Sequence, residues 1–445
     1  MRFLDDRRFR RAFAVLALFT TLAGDAWRYS MGWLGYGIIA AILAIAAIAL
    51  IIRERSRWSF NRLPYPLLAF FVLTVASLAW SFYPSATALG IVATWMTVAG
   101  AFAIAICFPW PEIVFLLSRA LRIILGLSLA FELVVALFVR HPVLPLVPAP
   151  GVDYNNLDKV PKLLYWSRDV LFEGGKIQGI VGNSSLLAFL ALLGLIVFGV
   201  QLASRSVLRV SGVMWVALAA FIVILTRSAT IIVAIVVLAA VLLLVVLIRR
   251  ARGRRDIRLI AAGTAVVVAG SIAAVSLFPT HLLALLGKSP DLTNRLDIWA
   301  EVTNLAVERP AFGWGWVSYW VPWVAPFDTL AFNSGVRQLH AHNAWLDLWL
   351  QLGVAGLIVF GALVLSTLVR AFALATDRPM IAPLEPAPFS IVAILPLLIL
   401  VALLVQSIAE SRLIVEYGIF LLAIIAIRTK LEPTPVIDDR AVTRR

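Results

Sequence analysis

Residues 211–250 read SGVMWVALAAFIVILTRSATIIVAIVVLAAVLLLVVLIRR. Two apolar runs, 211–226 and 229–248, are split only by Thr226-Arg227-Ser228 and closed by Arg249-Arg250. Each approaches the roughly 20 residues that a helix needs to cross a bilayer. Lipid offers nothing to backbone N–H and C=O groups, so such runs satisfy themselves as helices.

The rest of the chain repeats the pattern. Apolar residues make up 62% of 445 and charged residues 14%, against about 45–50% and about 25% in soluble proteins. This excludes a soluble enzyme, a nucleic-acid-binding domain or a disordered chain as the main body. The net charge of +14 then reads as a topology signal, not a nucleic-acid footprint. A single cysteine, Cys107, excludes an intramolecular disulfide and a cysteine metal cluster, and four histidines leave little for a metal site.

The expected fold is an all-α integral membrane protein, one polytopic domain over 1–445. Twelve helices are predicted over 12–30, 34–52, 65–82, 86–108, 119–139, 184–202, 211–226, 229–248, 259–278, 344–369, 390–408 and 413–427. The first ends on Asp25 and Arg28, and its basic start resembles a secretory signal. The next apolar span follows at once, which favours an uncleaved helix. With the N-terminus in the cytoplasm, the inner segments hold 26 of the 38 Lys and Arg, which is the positive-inside arrangement. Both termini, including a basic tail over 428–445, are then cytoplasmic.

Two outer connections are long, 140–183 and 279–343, and loops of that length are usually functional. The first carries Lys159, Lys162, Arg168 and Lys176, nearly balanced by Asp153, Asp158, Asp169 and Glu173. It reads as a lid or acceptor surface. The second is rich in tryptophan. Its segment 295–308 places Ile298, Trp299, Val302, Leu305 and Ala306 on one face, the period of a helix lying on the membrane surface, with Thr293 or Asn294 as its cap.

Polar groups gather at the outer ends of helices. His340 and His342 flank Ala341 where the second loop meets the tenth helix. Side chains two apart point to different sides of a helix or strand, so one of the two faces a site. The bland reading makes both interfacial loop residues. A zinc site lacks further ligands. Arg227, Arg295 and Arg412 lie at outer helix ends, and charges there usually face a cavity or a partner. The arginine fork suits phosphate oxygens. An ion pair with Glu410 is the alternative for Arg412, and a turn residue for Arg227. Asn343 and Asp347 lie beside the histidines, Asp347 expected to pair with an arginine or orient a histidine. Gly313-Trp314-Gly315, Gly353 and Gly356 mark tight turns or close helix approach.

These residues resemble the O-antigen ligase and polymerase superfamily of bacterial polysaccharide assembly. Its pattern is His, then Asn, Ser, Gln or Thr, nine residues, Gly, two residues, and Gly, Thr or Tyr. His342-Asn343, residues 344–352, Gly353 and Gly356 match it without a gap. Arg295…Trp299, Arg309-Pro310…Gly313-Trp314-Gly315, Thr226-Arg227-Ser228 and Gly182-Asn183 resemble further family positions. Trp299 stands where the family has Leu, and Gln351 where many members have Glu, which suggests that position 351 is not chemically essential.

The resemblance implies a metal-independent, cofactor-free glycosyltransferase at the outer face of the bacterial inner membrane. Its donor is a glycan on undecaprenyl diphosphate. Its acceptor is a sugar hydroxyl on lipid A–core, another glycan or a lipid-linked repeat unit. On this reading His342 is the general base, supported by His340, Asn343 and Asp347. Arg227, Arg295 and Arg412 hold the diphosphate. The competing class is a transporter such as a lipid-linked oligosaccharide flippase. It suits the helices but expects internal repeats and polar groups at mid-membrane. A peptidoglycan polymerase of the shape and division type would want a decisive outer-loop aspartate in place of the His-Asn motif.

Overall fold

A computed structural model describes residues 2–148, 154, 160–278, 295–333, 336–378, 380–382 and 385–433. Thr293, Asn294, Lys159, Asp153, Asp158 and most of the basic tail lie outside the described residues. Those residues contain thirteen α-helices: α1 (Arg7–Leu22), α2 (Gly24–Arg53), α3 (Tyr65–Ala76), α4 (Pro84–Cys107), α5 (Trp110–Val134), α6 (Ser184–Ala203), α7 (Arg209–Thr226), α8 (Ala229–Arg250), α9 (Arg254–Leu277), α10 (Arg295–Glu308), α11 (Ala344–Thr376), α12 (Leu395–Ser407) and α13 (Glu416–Leu431). Two short antiparallel ribbons join them, β1 (Phe332–Asn333) with β2 (Val336–Arg337) and β3 (Met380–Ala382) with β4 (Glu385–Pro386). Among the described residues, eight helices are long and apolar enough to cross a membrane: α2, α4, α5 with its continuation to Val139, α6 to α9 and α11. The chain is a mostly helical, multi-pass membrane protein.

The first two helices depart from the sequence reading. One break falls at Ala23, and the helix then runs on through Asp25 and Arg28 to a second break at Gly32 (φ 74°), which lies in the predicted gap between the first two helices. Those charges look like a helix end only while they lack partners. Arg28 is buried, with Nη2 2.6 Å from Asp25 Oδ1 and Nη1 2.5 Å from Glu416 Oε1. Pairing of this kind is what lets charge sit inside a bundle. The end of the chain also differs, since α13 carries Arg428 and Lys430 inside the helix.

Burial sorts the helices. α13 is apolar on every side and almost wholly buried, packed against α4 and α11, as expected of a central helix. The membrane-length part of α9 has no buried residue; Val266 and Ile272 are bare, a surface suited to lipid. The described part of the first long loop is tied down. Glu132 of α5 accepts hydrogen bonds from Ser167 Oγ at 2.8 Å, from the Gln178 N–H at 2.8 Å and from the Gly179 N–H at 2.7 Å. Asn183 caps α6 by accepting from the Ser185 and Leu186 N–H groups.

α11 is broken at Gly353, whose φ of 65° and ψ of −164° leave the helical region. A break in lipid would orphan backbone groups at high cost. Here a loop supplies the partners. The Trp314 and Gly315 N–H groups donate to the Leu350 and Gln351 carbonyls at 3.0 and 2.9 Å. The Val354 and Ala355 N–H groups donate to the Pro310 and Ala311 carbonyls at 2.8 and 3.1 Å. A Cβ on Gly353 would lie 2.3 Å from the Ala311 carbonyl carbon, and one on Gly313 2.5 Å from that of Gln351. The close approach predicted at Gly353 is therefore made by a loop, not by another helix.

Candidate active site

The site is built where α10, the start of α11 and the α12–α13 turn meet. Asn343 begins α11 by accepting hydrogen bonds from the Trp345 and Leu346 N–H groups at 3.0 and 3.2 Å. The residue before it, His342, has φ 52°, a left-handed conformation uncommon outside glycine. That turn overrides the expectation that the two histidines point apart. Their rings meet edge to face, with centroids 4.2 Å apart, and the His342 N–H donates to His340 Nδ1 at 3.1 Å. The intervening Ala341 is fixed from two sides. Trp299 of α10 donates to its carbonyl at 3.0 Å, and its N–H donates to Asp347 Oδ2 at 3.2 Å. Asp347 therefore pairs with no arginine among the described residues. It orients the histidines through the backbone.

Glu410, just before the turn 411–414, completes the group. Its Oε2 lies 3.1 Å from His342 Nδ1 and its Oε1 3.0 Å from Arg295 Nη2. Burial works to raise its pKa, but the two histidines and Arg295 outweigh that and hold it below the usual carboxylate range. A carboxylate in that position keeps hydrogen on Nδ1 of His342 and leaves chemistry to Nε2. That nitrogen stands 2.9 Å from Gln338 Oε1, an acceptor aimed by the Gln338 amide N–H donating to the Val336 carbonyl at 2.8 Å, so the contact is a hydrogen bond only while Nε2 carries hydrogen. For Nε2 to take a proton, an incoming hydroxyl must replace this amide oxygen.

Of the three arginines singled out in the sequence, only Arg295 joins the histidines. Arg412 is buried elsewhere, bonded to Glu416 and the Tyr319 hydroxyl and 3.9 Å from Asp25. Its pairing with Glu410 is not made, because Glu410 is engaged by Arg295 and His342. Arg227 caps α7 with φ 47°, is exposed beside Gly174, and has no ion-pair partner among the described residues. Glu410 and Gln338 were missed. The signal for Glu410 was an acid in a short turn between apolar helices, read only against its neighbour Arg412.

The expectation that no acid joins the histidines is thus corrected. His340, His342 and Glu410 bring ligand-type atoms within 4.8 Å of one another. Competing bonds occupy them: His340 Nδ1 accepts a backbone N–H, and Arg295 puts a cation on the carboxylate. The geometry is that of a charge-paired hydrogen-bond network.

Gln351 has a definite task as well. Its Oε1 accepts from the Val317 and Ser318 N–H groups at 2.8 and 3.1 Å, and its Nε2 donates to Asp347 Oδ1 at 2.8 Å. A carboxylate there would face Asp347. Gln351→Glu should lower stability by about 3 kcal/mol, the scale of an unpaired buried charge, and a midpoint in denaturant within about 0.5 kcal/mol of wild type would contradict this account.

The ring of His340, partly buried, is pushed well below its ordinary 6.5 by desolvation first and then by His342, with Glu410 opposing. The folded state resists protonation that the unfolded chain accepts. His340 therefore contributes stability that is complete above about pH 6.5 and lost as pH falls below it, with a slope of up to about 1.4 kcal/mol per pH unit. Melting temperatures at pH 6.5 and 5.5 check this: the drop should shrink in His340→Gln.

Residues 214–361 match the family model described as O-antigen ligase. This segment belongs to the O-antigen ligase family. The matched stretch of the ligase domain contains Arg227, Arg295, both histidines, Asn343, Asp347 and the Gly353 break. Glu410 and Arg412 lie beyond it. No curated protein matches the chain. An O-antigen ligase domain in a multi-pass helical chain supports a membrane glycosyltransferase of the ligase and polymerase type.

Proposed function

We propose that the protein transfers a glycan from undecaprenyl diphosphate to a sugar hydroxyl of an acceptor, at the outer face of the cytoplasmic membrane. The observation that carries this reading is the His342–Glu410–Arg295 group, which joins a proton acceptor to a cation beside it. The acceptor oxygen attacks the anomeric carbon, its proton passes to His342 Nε2, and the bond from that carbon to the phosphate oxygen breaks. The electron pair leaves with the lipid diphosphate. One displacement inverts the anomeric configuration. Arg295 stabilises the growing phosphate charge, and Arg227, exposed and unpaired by any acid among the described residues, is the second grip. No metal takes part in this reading.

The test is sugar transfer by the purified protein in proteoliposomes, with lipid translocation measured in parallel. Translocation without transfer would favour the flippase. The reading also requires twelve spans with both termini inside. Cysteine at 165 or 325 should react with an impermeant thiol reagent in intact cells and cysteine at 253 should not; labelling at 253 would overturn this topology.

A further inference from the structure

A cavity of about 920 Å³ lies beside the histidines, bounded by α2, α4, the 317–339 segment and the start of α13. Tyr319 lines it, and on its other side the Tyr319 ring stands 6.2 Å from that of His340. One end is apolar and narrow-walled, lined by Gly37, Ala40 and Ala41 of α2 and by Leu89, Val92 and Ala93 of α4. Leu89 and Val92 are more than half exposed, so this end opens on a flank that only lipid can cover favourably. The other end is charged, lined by Asp25, Arg28, Glu416 and Arg337.

The charges do not cancel. Arg28 and Arg412 share Asp25 and Glu416. Arg337 has no carboxylate partner among the described residues. Its Nη1 donates to the Pro322 carbonyl at 2.5 Å, and its Nε, like that of Arg412, is buried with no partner among them. Counting Arg412, which stands behind the lining in the same ion-pair group, three arginines against two acids leave one positive charge. A neutral head group would leave that charge uncompensated, whereas a phosphate compensates it and accepts from the guanidinium groups of Arg28 and Arg337 that line the cavity.

We propose that this cavity seats the acceptor as a phosphate-bearing amphiphile, with its chain between α2 and α4 and its phosphate against Arg337 and Arg28. The role as acceptor rests on the glycosyltransferase reading above. Tyr319 then separates an acceptor side from the side of Arg295 and Glu410, and the sugar of the bound amphiphile reaches the histidines past Tyr319. Nothing in the sequence marked Arg337, because its site is assembled from segments some 300 residues apart.

The full-length protein, purified and stripped of lipid, is tested by native mass spectrometry with dioleoyl phosphatidic acid and with dioleoylglycerol, which has the same chains and no phosphate. Phosphatidic acid should be held at least tenfold more tightly. Arg337→Gln should remove that preference, and Ala40→Trp, which fills the groove, should weaken retention of phosphatidic acid. Equal retention of the two lipids, or retention indifferent to both substitutions, overturns the site. In the transfer assay Arg337→Gln should raise KM for a lipid acceptor and leave KM for the donor; a rise for the donor instead would reassign the cavity and overturn the acceptor role. Retention is read without turnover, so a wild-type protein that transfers no sugar would sink the glycosyltransferase reading while the lipid site is judged on its own data.

Discussion

His342→Gln is expected to slow transfer by about 10²–10⁴-fold, the range for loss of a general base, with little change in folding. Glutamine keeps the size and the hydrogen-bonding capacity of the ring, and its amide N–H can still donate to Glu410. It cannot take a proton near neutral pH. The substitution therefore separates two roles that alanine would remove together. A rate near wild type would show that the ring only positions the acceptor, leaving a mechanism of orientation and charge stabilisation. His340→Ala should fall between the two, because His340 Nδ1 holds the His342 N–H at 3.1 Å and helps fix the left-handed turn. EDTA should leave the wild-type rate unchanged.

Glu410→Gln is expected to have the next largest effect, on activity and stability together. The carboxylate stands between His342 and Arg295 and is itself 6% exposed. Removing one member of a buried charged group strands the other, at about 3–5 kcal/mol. An amide has one oxygen where two are needed, and its NH2 end opposes either His342 Nδ1–H or the guanidinium. Transfer should fall by about 10²-fold, since Glu410 positions groups and touches no reacting atom. A positioning role also makes a specific claim about coupling. In a cycle with Arg295→Gln, the double variant should be less impaired than the sum of the singles predicts. Additive losses would mean that Glu410 and Arg295 act independently, and the account of the site would fail.

The apolar runs made the helical membrane fold readable, because length and hydrophobicity alone set that outcome. The His342-Asn343 motif and a helix over 295–308 were readable for similar reasons, since a local pattern fixes an amphipathic face; that face, with Ile298, Val302 and Ala306, packs into the protein against Trp314 and Leu350. Partner choice was not readable. Arg412 lies two residues from Glu410 yet pairs with Glu416, Tyr319 and Asp25, and Glu410 takes up Arg295 from 115 residues away. Nor could strand or helix periodicity foresee that His340 and His342 converge, since a left-handed residue between regular elements obeys neither period. Gln351 looked dispensable by comparison with a family pattern. Its three short hydrogen bonds could be seen only after the chain had folded around it.

The break at Gly353 also sets a height. The part of α11 after it, residues 354–376, is about 34 Å long at 1.5 Å per residue, enough on its own for the roughly 30 Å hydrocarbon core. The nine or so residues before the break are therefore surplus to the crossing. They form a pedestal about 13 Å tall, braced by the 310–315 loop, with Asn343 and His342 on its top. On the proposed reading, a platform of this kind would suit a lipid-linked sugar, whose reacting carbon is held away from the oily tail by its phosphates. On that same reading, shortening the pedestal by a turn should lower the histidines toward the membrane and slow transfer, even with every side chain of the site retained.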